Sequence, residues 1–216
     1  MSEDLIKFIS KERLIPYLKL SNSNLEKALK LYEYNIRLNK SFYVPLHNIE
    51  ICIRNTFHKT IADKYGNEWY YNSKLLLGTN KQDKTSLSRV EESLSRVRKK
   101  KEFNIHDIIA NLSLGFWSAL LHPNHEIDIW RPCLRKIFSL EEKITRHDIY
   151  TKVYKIKYFR NRIAHYECNL KRDFKGIHKM AYDLLNVISS EITDWTEAYD
   201  DFEEIYKEYE DFKKSL

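Results

Sequence analysis

The sequence predicts an all-α fold. Four Gly and four Pro in 216 residues leave few natural breakers, which favours long helices over a many-turned β protein. Apolar residues recur at steps of three and four through most of the chain. A hydrophobic content of 43% is enough to build a core, and 31% charged residues argue for a soluble chain. The length suits one domain, or one with an appendage. The division expected is a helical domain over residues 1–190, with 191–216 as an acidic C-terminal helix packed on it.

Taken in order, residues 3–14 read as a short helix stopped before Pro16. Ser21-Asn-Ser-Asn24 supplies helix-start residues, with Glu26 placed as a capping partner for the helix that follows. Another helix begins near Pro45, a favoured first-turn residue. It carries an apolar stripe of Leu46, Ile49, Ile53, Phe57 and Ile61 and ends at Gly66. Trp69, Tyr70 and Tyr71 are expected as core or rim aromatics, and Leu75 to Asn80 as a loop turning at Gly78. Residues 81–101 form a peripheral basic helix with a thin apolar line of Leu87, Val90, Leu94 and Val97. Asn104 caps a short helix through Leu112, and Leu114 to Leu121 is core. Thr145 or Asp148 opens the central helix, whose buried stripe is Ile149, Val153, Ile156, Phe159 and Ile163. Leu170 to Ser190 is amphipathic. Thr193 to Leu216 reads as one helix with an aromatic face of Trp195, Tyr199, Phe202, Ile205 or Tyr206, and Tyr209.

Charge is uneven. The net charge is +6, yet residues 191–216 hold ten acids and three bases, so residues 1–190 carry +13. Between Lys152 and Lys179 there are nine bases and two acids. The ordinary reading is solvated helix faces; the sharper one is a footprint for a polyanion, above all nucleic acid. No apolar run approaches a membrane span. The start, Met1-Ser-Glu-Asp-Leu-Ile-Lys7, lacks the basic end and apolar stretch of a signal peptide. Cys52, Cys133 and Cys168 are scattered and odd in number, which fits a reducing compartment better than a disulfide framework. Together these predict a cytoplasmic protein.

The chemistry concentrates in Tyr158-Phe-Arg-Asn-Arg-Ile-Ala-His165, at the end of the central helix. Asn161 and His165 are four apart and share a face. Arg160 is five before His165, about 140° round the helix, so one straight helix cannot aim both at one atom from one side. Two copies meeting across a two-fold axis can, because such an interface presents the same patch twice. A permanent cation, an amide and a proton-transfer group suit a phosphodiester: Arg grips phosphate oxygens as a fork, and His moves protons near neutral pH. The Arg-to-His spacing alone is common. Arg172 and His178 make a near-match that Gly176 interrupts, with no Asn after the Arg. Lys155, Lys157 and Arg162 flank the string as candidate RNA contacts.

Other candidates weigh less. His47, Glu50, Arg54 and His58 form a second polar line on the helix after Pro45. It is either an ordinary exposed face with a Glu50–Arg54 pair, or a helix that turns Glu50 and Arg54, with Asn55 beside them, toward the site. His122-Pro-Asn-His125 hints at a metal, but Pro123 breaks regular ligand spacing and no second cluster follows, so no metal or other cofactor is expected.

Several strings in combination resemble the Abi-like proteins of bacterial abortive infection: Leu25-Glu-Lys-Ala-Leu-Lys-Leu-Tyr32 with Asn35, the helix from Glu50 through Arg54-Asn55, Tyr65-Gly66 with Trp69, Gly115-Phe-Trp117, and Arg160-Asn through His165. The resemblance spans about residues 20–190. Such proteins are similar to the HEPN superfamily of all-α ribonucleases. The resemblance implies a HEPN-type bundle with additional peripheral helices, a homodimer with a composite site, and metal-independent RNA cleavage. Carried onto this chain, it makes Arg160, Asn161 and His165 the catalytic set, with Glu50, Arg54 and Asn55 supporting. It also implies an anti-phage or toxin–antitoxin setting, with an antitoxin protein or small structured RNA as restraint. The rival expectations are a non-catalytic RNA-binding module and a purely structural interaction protein whose basic face docks an acidic partner. The acidic tail is expected either to pack as an ordinary helix or to shield the basic surface as an RNA mimic.

Overall fold

With four glycines in the whole chain, almost every stretch has the option of helix, and takes it. The computed structural model describes residues 3–77, 85–97, 99, 104–138 and 144–216. Among the described residues there are twelve α-helices and no strand, an all-α architecture.

The N-terminal expectation needs correction. The first helix, α1 (Glu3–Ile9), stops at Ser10, and α2 (Lys11–Leu20) runs straight through Pro16. Ser10 takes a left-handed φ of 72° and its hydroxyl accepts from the Arg13 N–H at 3.3 Å, so it both breaks one helix and caps the next. Pro16 removes one intrahelical hydrogen bond. The burial of Leu14 and Tyr17 against α3 (Leu25–Ser41) outweighs that loss. The cap of α3 is Asn24, whose side chain accepts from the Lys27 N–H at 3.0 Å. Glu26 is therefore the second residue of the helix and makes no capping box; it only faces the positive first turn.

Phe42 turns the chain into α4 (Tyr43–Tyr65), which buries all five stripe residues from Leu46 to Ile61 and ends at Gly66 with φ 85°. After a 3-10 turn at Trp69–Tyr71, Leu75 and Leu76 are buried in a short helix, α5 (Ser73–Leu77), not in a loop. The Asn72 side chain accepts from the Leu75 N–H at 3.1 Å and starts that turn. The expected turn at Gly78 to Asn80 lies outside the described residues, as do Lys81 to Lys84 and Arg98, Lys100 and Lys101 of the basic helix. What is described of that helix is α6 (Thr85–Val97), seated through Val90 and Ser93.

Asn104 and Asp107 close a capping box on α7 (Ile105–Asn111), and Phe116 and Trp117 of α8 (Leu114–Ala119) are fully buried. Residues 123–138 follow as short 3-10 and π turns around Ile129, Leu134 and Phe138. Thr145 caps α9 (Arg146–Ala164) in a reciprocal box with Asp148. α9 packs on α8 and on α10 (Phe174–Ile188), which also covers α4. At the centre, Phe42 meets Phe159 at 4.8 Å, Phe174 at 6.0 Å and Phe202 at 5.3 Å between ring centroids.

The tail is two helices rather than one, α11 (Ser190–Glu197) on α10 and α4, and α12 (Phe202–Lys213) on α3. Phe202, Ile205 and Tyr209 are buried as the aromatic spacing implies, whereas Trp195 and Tyr199 are exposed and tilt against each other at 5.2 Å. The break is made by Asp200. Its carboxylate bonds His178 Nε2 at 2.6 Å and accepts from the Phe202 N–H at 2.9 Å. Burial pushes the Asp200 carboxyl up, but the hydrogen bonds to His178 and the Phe202 N–H outweigh it and hold the group below its ordinary 3.8.

A depressed carboxylate contributes stability above its unfolded value and loses it as pH falls through the folded one. Asp200→Asn is therefore expected to lower neutral-pH stability by about 1.5 kcal/mol. The gap between the two melting curves should close as pH falls below 3.8. Thermal unfolding followed across pH 2–7 checks this.

Candidate functional site

The register of α9 fixes the site. Ile149, Val153, Ile156 and Phe159 are buried, Ile163 is half-buried, and the helix ends at Ala164. Arg160, one residue past Phe159, therefore emerges at the edge of the core. Its guanidinium reaches Glu50 Oε2 of α4 at 3.2 Å, with 43% of the Arg160 side chain and 25% of the Glu50 side chain exposed. An ion pair this open contributes at most about 1 kcal/mol, so it orients Arg160 rather than holding the fold. His165 is the C-terminal cap; its N–H donates to the Asn161 carbonyl at 2.9 Å, one turn back. Asn161 and His165 are both exposed, and no described side chain engages either.

Two hollows flank the turn after His165. A groove of about 1210 Å³ is lined by Arg160, Glu50, His47 and Arg13 among others. Its rim carries Phe8, Tyr43 and Tyr166, which are 88%, 70% and 75% exposed. On the other side, a cleft of about 910 Å³ lies between α2 and residues 167–172, lined by Arg13, Lys19, Lys171 and Arg172. Arg13 belongs to both. Neither Asn161 nor His165 lines either hollow, so within one chain Arg160 and His165 look onto different surfaces, as their angular offset requires.

The other candidates sort differently. Arg54 is half-buried and Asn55 exposed, and no bond joins either to the motif. His58 Nδ1 accepts from the Trp69 indole N–H at 3.0 Å, and burial, then His106, lowers its pKa. That ring is engaged by the core. Lys155 is exposed. Lys157 lies over the Tyr154 ring at 4.5 Å, and burial, then Arg89, lowers its pKa. Arg162 is held within the fold: it donates to Asn169 Oδ1 at 2.8 Å and the Cys168 carbonyl at 2.9 Å, and pairs with Glu167 at 2.5 Å. The near-match His178 is stacked on Phe202 at 4.1 Å and bonded to Asp200. His122 Nδ1 accepts from the Asn124 N–H at 3.3 Å, a turn contact. Among the described residues there is no group of three side chains able to hold a metal, and no helix is long and apolar enough to cross a membrane.

The sequence reading missed Arg13 and the aromatic rim. Tyr43 is the first residue of its helix, off the apolar stripe, and Tyr166 has a left-handed φ of 57°. A large apolar residue off its helix's stripe is the signal that could have found them.

The family model for Abi-like proteins matches residues 6–169. The chain belongs to the Abi-like family. The match starts within α1, earlier than the expected residue 20, and stops at Asn169, short of α10. It contains the whole Arg160–His165 string. Family membership points to a role in abortive-infection defence. No curated protein and no solved structure matches the chain.

If the Glu50–Arg160 pair is an orienting contact, Glu50→Ala should cost at most about 1 kcal/mol in chemical denaturation. Phe159→Ala, at the residue just before Arg160, should cost about 3–5 kcal/mol. A large loss for Glu50→Ala would make the pair part of the fold instead.

Proposed function

We propose that this Abi-like protein is a metal-independent endoribonuclease of the HEPN type, acting as a homodimer. The observation that carries the reading is a contrast within six residues. Arg162 is fully engaged by the fold, whereas the side chains of Asn161 and His165 are exposed with no partner among the described residues, and Arg160 has one open ion pair. Polar groups that stabilise nothing in a helix that otherwise buries its stripe are available for a ligand.

Two copies related by a two-fold axis would bring Arg160 of one chain and His165 of the other to one phosphodiester. The exposed aromatic rim beside Arg160 supports an association surface there. The 2′-hydroxyl of RNA attacks the adjacent phosphorus. One His165 takes the hydroxyl proton as the 2′-oxygen–phosphorus bond forms. The same imidazole, now protonated, returns that proton to the 5′-oxygen as its bond to phosphorus breaks. Arg160 stabilises charge on the phosphoryl oxygens, Asn161 orients phosphate or imidazole, and Glu50 orients Arg160, with Arg54 and Asn55 behind it. The products are a 2′,3′-cyclic phosphate and a 5′-hydroxyl. The cleft cations Arg13, Lys19, Lys171 and Arg172, with exposed Lys155 on α9, offer the strand a path. In an abortive-infection setting, an antitoxin protein or small structured RNA would restrain such an enzyme in the cytoplasm.

Purified protein incubated with RNA in EDTA should produce cyclic-phosphate ends, and His165→Ala should lose roughly 100-fold or more of that activity. Cleavage by His165→Ala at the wild-type rate would overturn the assignment. Binding without cleavage by the wild type would favour the non-catalytic RNA-binding module.

A further inference from the structure

The backbone just beyond His165 is held by side chains from four helices. Arg13 of α2 donates to the Tyr166 carbonyl at 2.6 Å. Asn35 of α3 donates to the Glu167 carbonyl at 3.3 Å, and its Oδ1 accepts from the Asn169 N–H at 2.8 Å. Arg162 of α9 donates to the Cys168 carbonyl at 2.9 Å and to Asn169 Oδ1 at 2.8 Å. Asn169 in turn donates to Asn39 Oδ1 at 3.1 Å, and the Tyr209 hydroxyl of α12 lies 3.4 Å from the Leu170 carbonyl, to which it donates. Asn169 is fully buried and Asn35 nearly so.

We propose that Asn35, Arg162 and Asn169 form a positioning clamp for His165. The inference rests on the ribonuclease reading of the motif and deepens it. A helix end needs far less than this. α9 is already closed by the Tyr166 N–H on the Ile163 carbonyl and the Glu167 N–H on the Arg162 carbonyl. Three successive carbonyls, at 166, 167 and 168, are nevertheless each taken by a side chain from a different helix. The reason lies in the imidazole itself. No described side chain holds its ring, so its place in a shared site is set by backbone alone. Tyr166, next in the chain, is held at a left-handed φ of 57°, a conformation that persists in a non-glycine residue only when its surroundings impose it. The clamp imposes it. Where a proton-transfer group must meet a phosphate bound by another chain, a displacement of about 1 Å lowers the rate by up to about 100-fold. Buried amides with every atom paired are suited to suppress such displacement. Asn35 and Asn39, one turn apart on α3, read the turn from one face.

Asn35→Asp isolates the effect, since the carboxylate keeps the acceptor for the Asn169 N–H but cannot donate to the Glu167 carbonyl. The expected result is a fall in kcat of roughly 10- to 100-fold, with KM within about twofold, and a shifted His165 ring resonance in proton NMR. Ile61→Val, in the core of α4 far along the chain from the turn, serves as a stability control and should leave kcat unchanged. Should Asn35→Asp fail to fold, Arg13→Met, which also removes a cation of the RNA path, takes its place; kcat should fall there alongside any rise in KM, and an unchanged kcat would overturn positioning. Retained kcat with an unmoved His165 resonance in Asn35→Asp removes the clamp while leaving the ribonuclease reading intact. A wild type that cleaves no RNA removes that reading, and an unmoved resonance in the same protein then removes the clamp as well.

Discussion

Phe159 is the constraint on which the site depends. Its ring is locked between Phe42 and Phe174, edge-on to both, and is almost wholly buried. Rotating α9 to bring Arg160 inward would expose that ring and bury a guanidinium, and both changes are unfavourable. The register is therefore settled by packing, and everything polar follows from it. Arg160 lands at the core edge within reach of Glu50, Arg162 faces the following turn, and Asn161 with His165 faces solvent. The aromatic cluster thus determines the chemistry of a surface it does not touch.

The same cluster ties in the C-terminal segment. Phe202 of α12 contacts Phe42 and stacks on His178, and α12 lies along α3, where Arg37 pairs with Glu208 at 2.6 Å. The acidic tail is consequently a packed element with a wet acidic face. Its one hydroxyl directed at the turn, from Tyr209, places it among the supports of the His165 segment. This coupling runs through helices beyond the stretch that defines the family, which ends at Asn169.

Much of this was legible in the chain because it is periodic. The α4 and α9 stripes, the Asn104 and Thr145 caps, the Gly66 stop and the Phe116–Trp117 core all follow from spacing and cap chemistry. What escaped were effects that spacing does not encode. Pro16 sits inside a helix because tertiary burial of Leu14 and Tyr17 overrides a local preference. Asp200 splits the tail because it pairs with a histidine 22 residues away. Arg162 looked like a nucleic-acid contact beside Arg160, yet the fold claims it, because two residues' difference on a helix is about 200° and turns it to the opposite side. Asn35 and Asn39 appeared as polar residues on an amphipathic helix, and only the arrival of the 167–169 backbone gives them a role.

The central claim is that Arg160 and His165 act on one phosphate from opposite chains. Heterodimers purified by two different tags, with Arg160→Ala in one chain and His165→Ala in the other, test it most directly. One intact trans pair should survive in each heterodimer and restore RNA cleavage toward half the wild-type rate, while both parent homodimers remain inactive. Heterodimers as inactive as their parents, beside a wild type that cleaves, would contradict it.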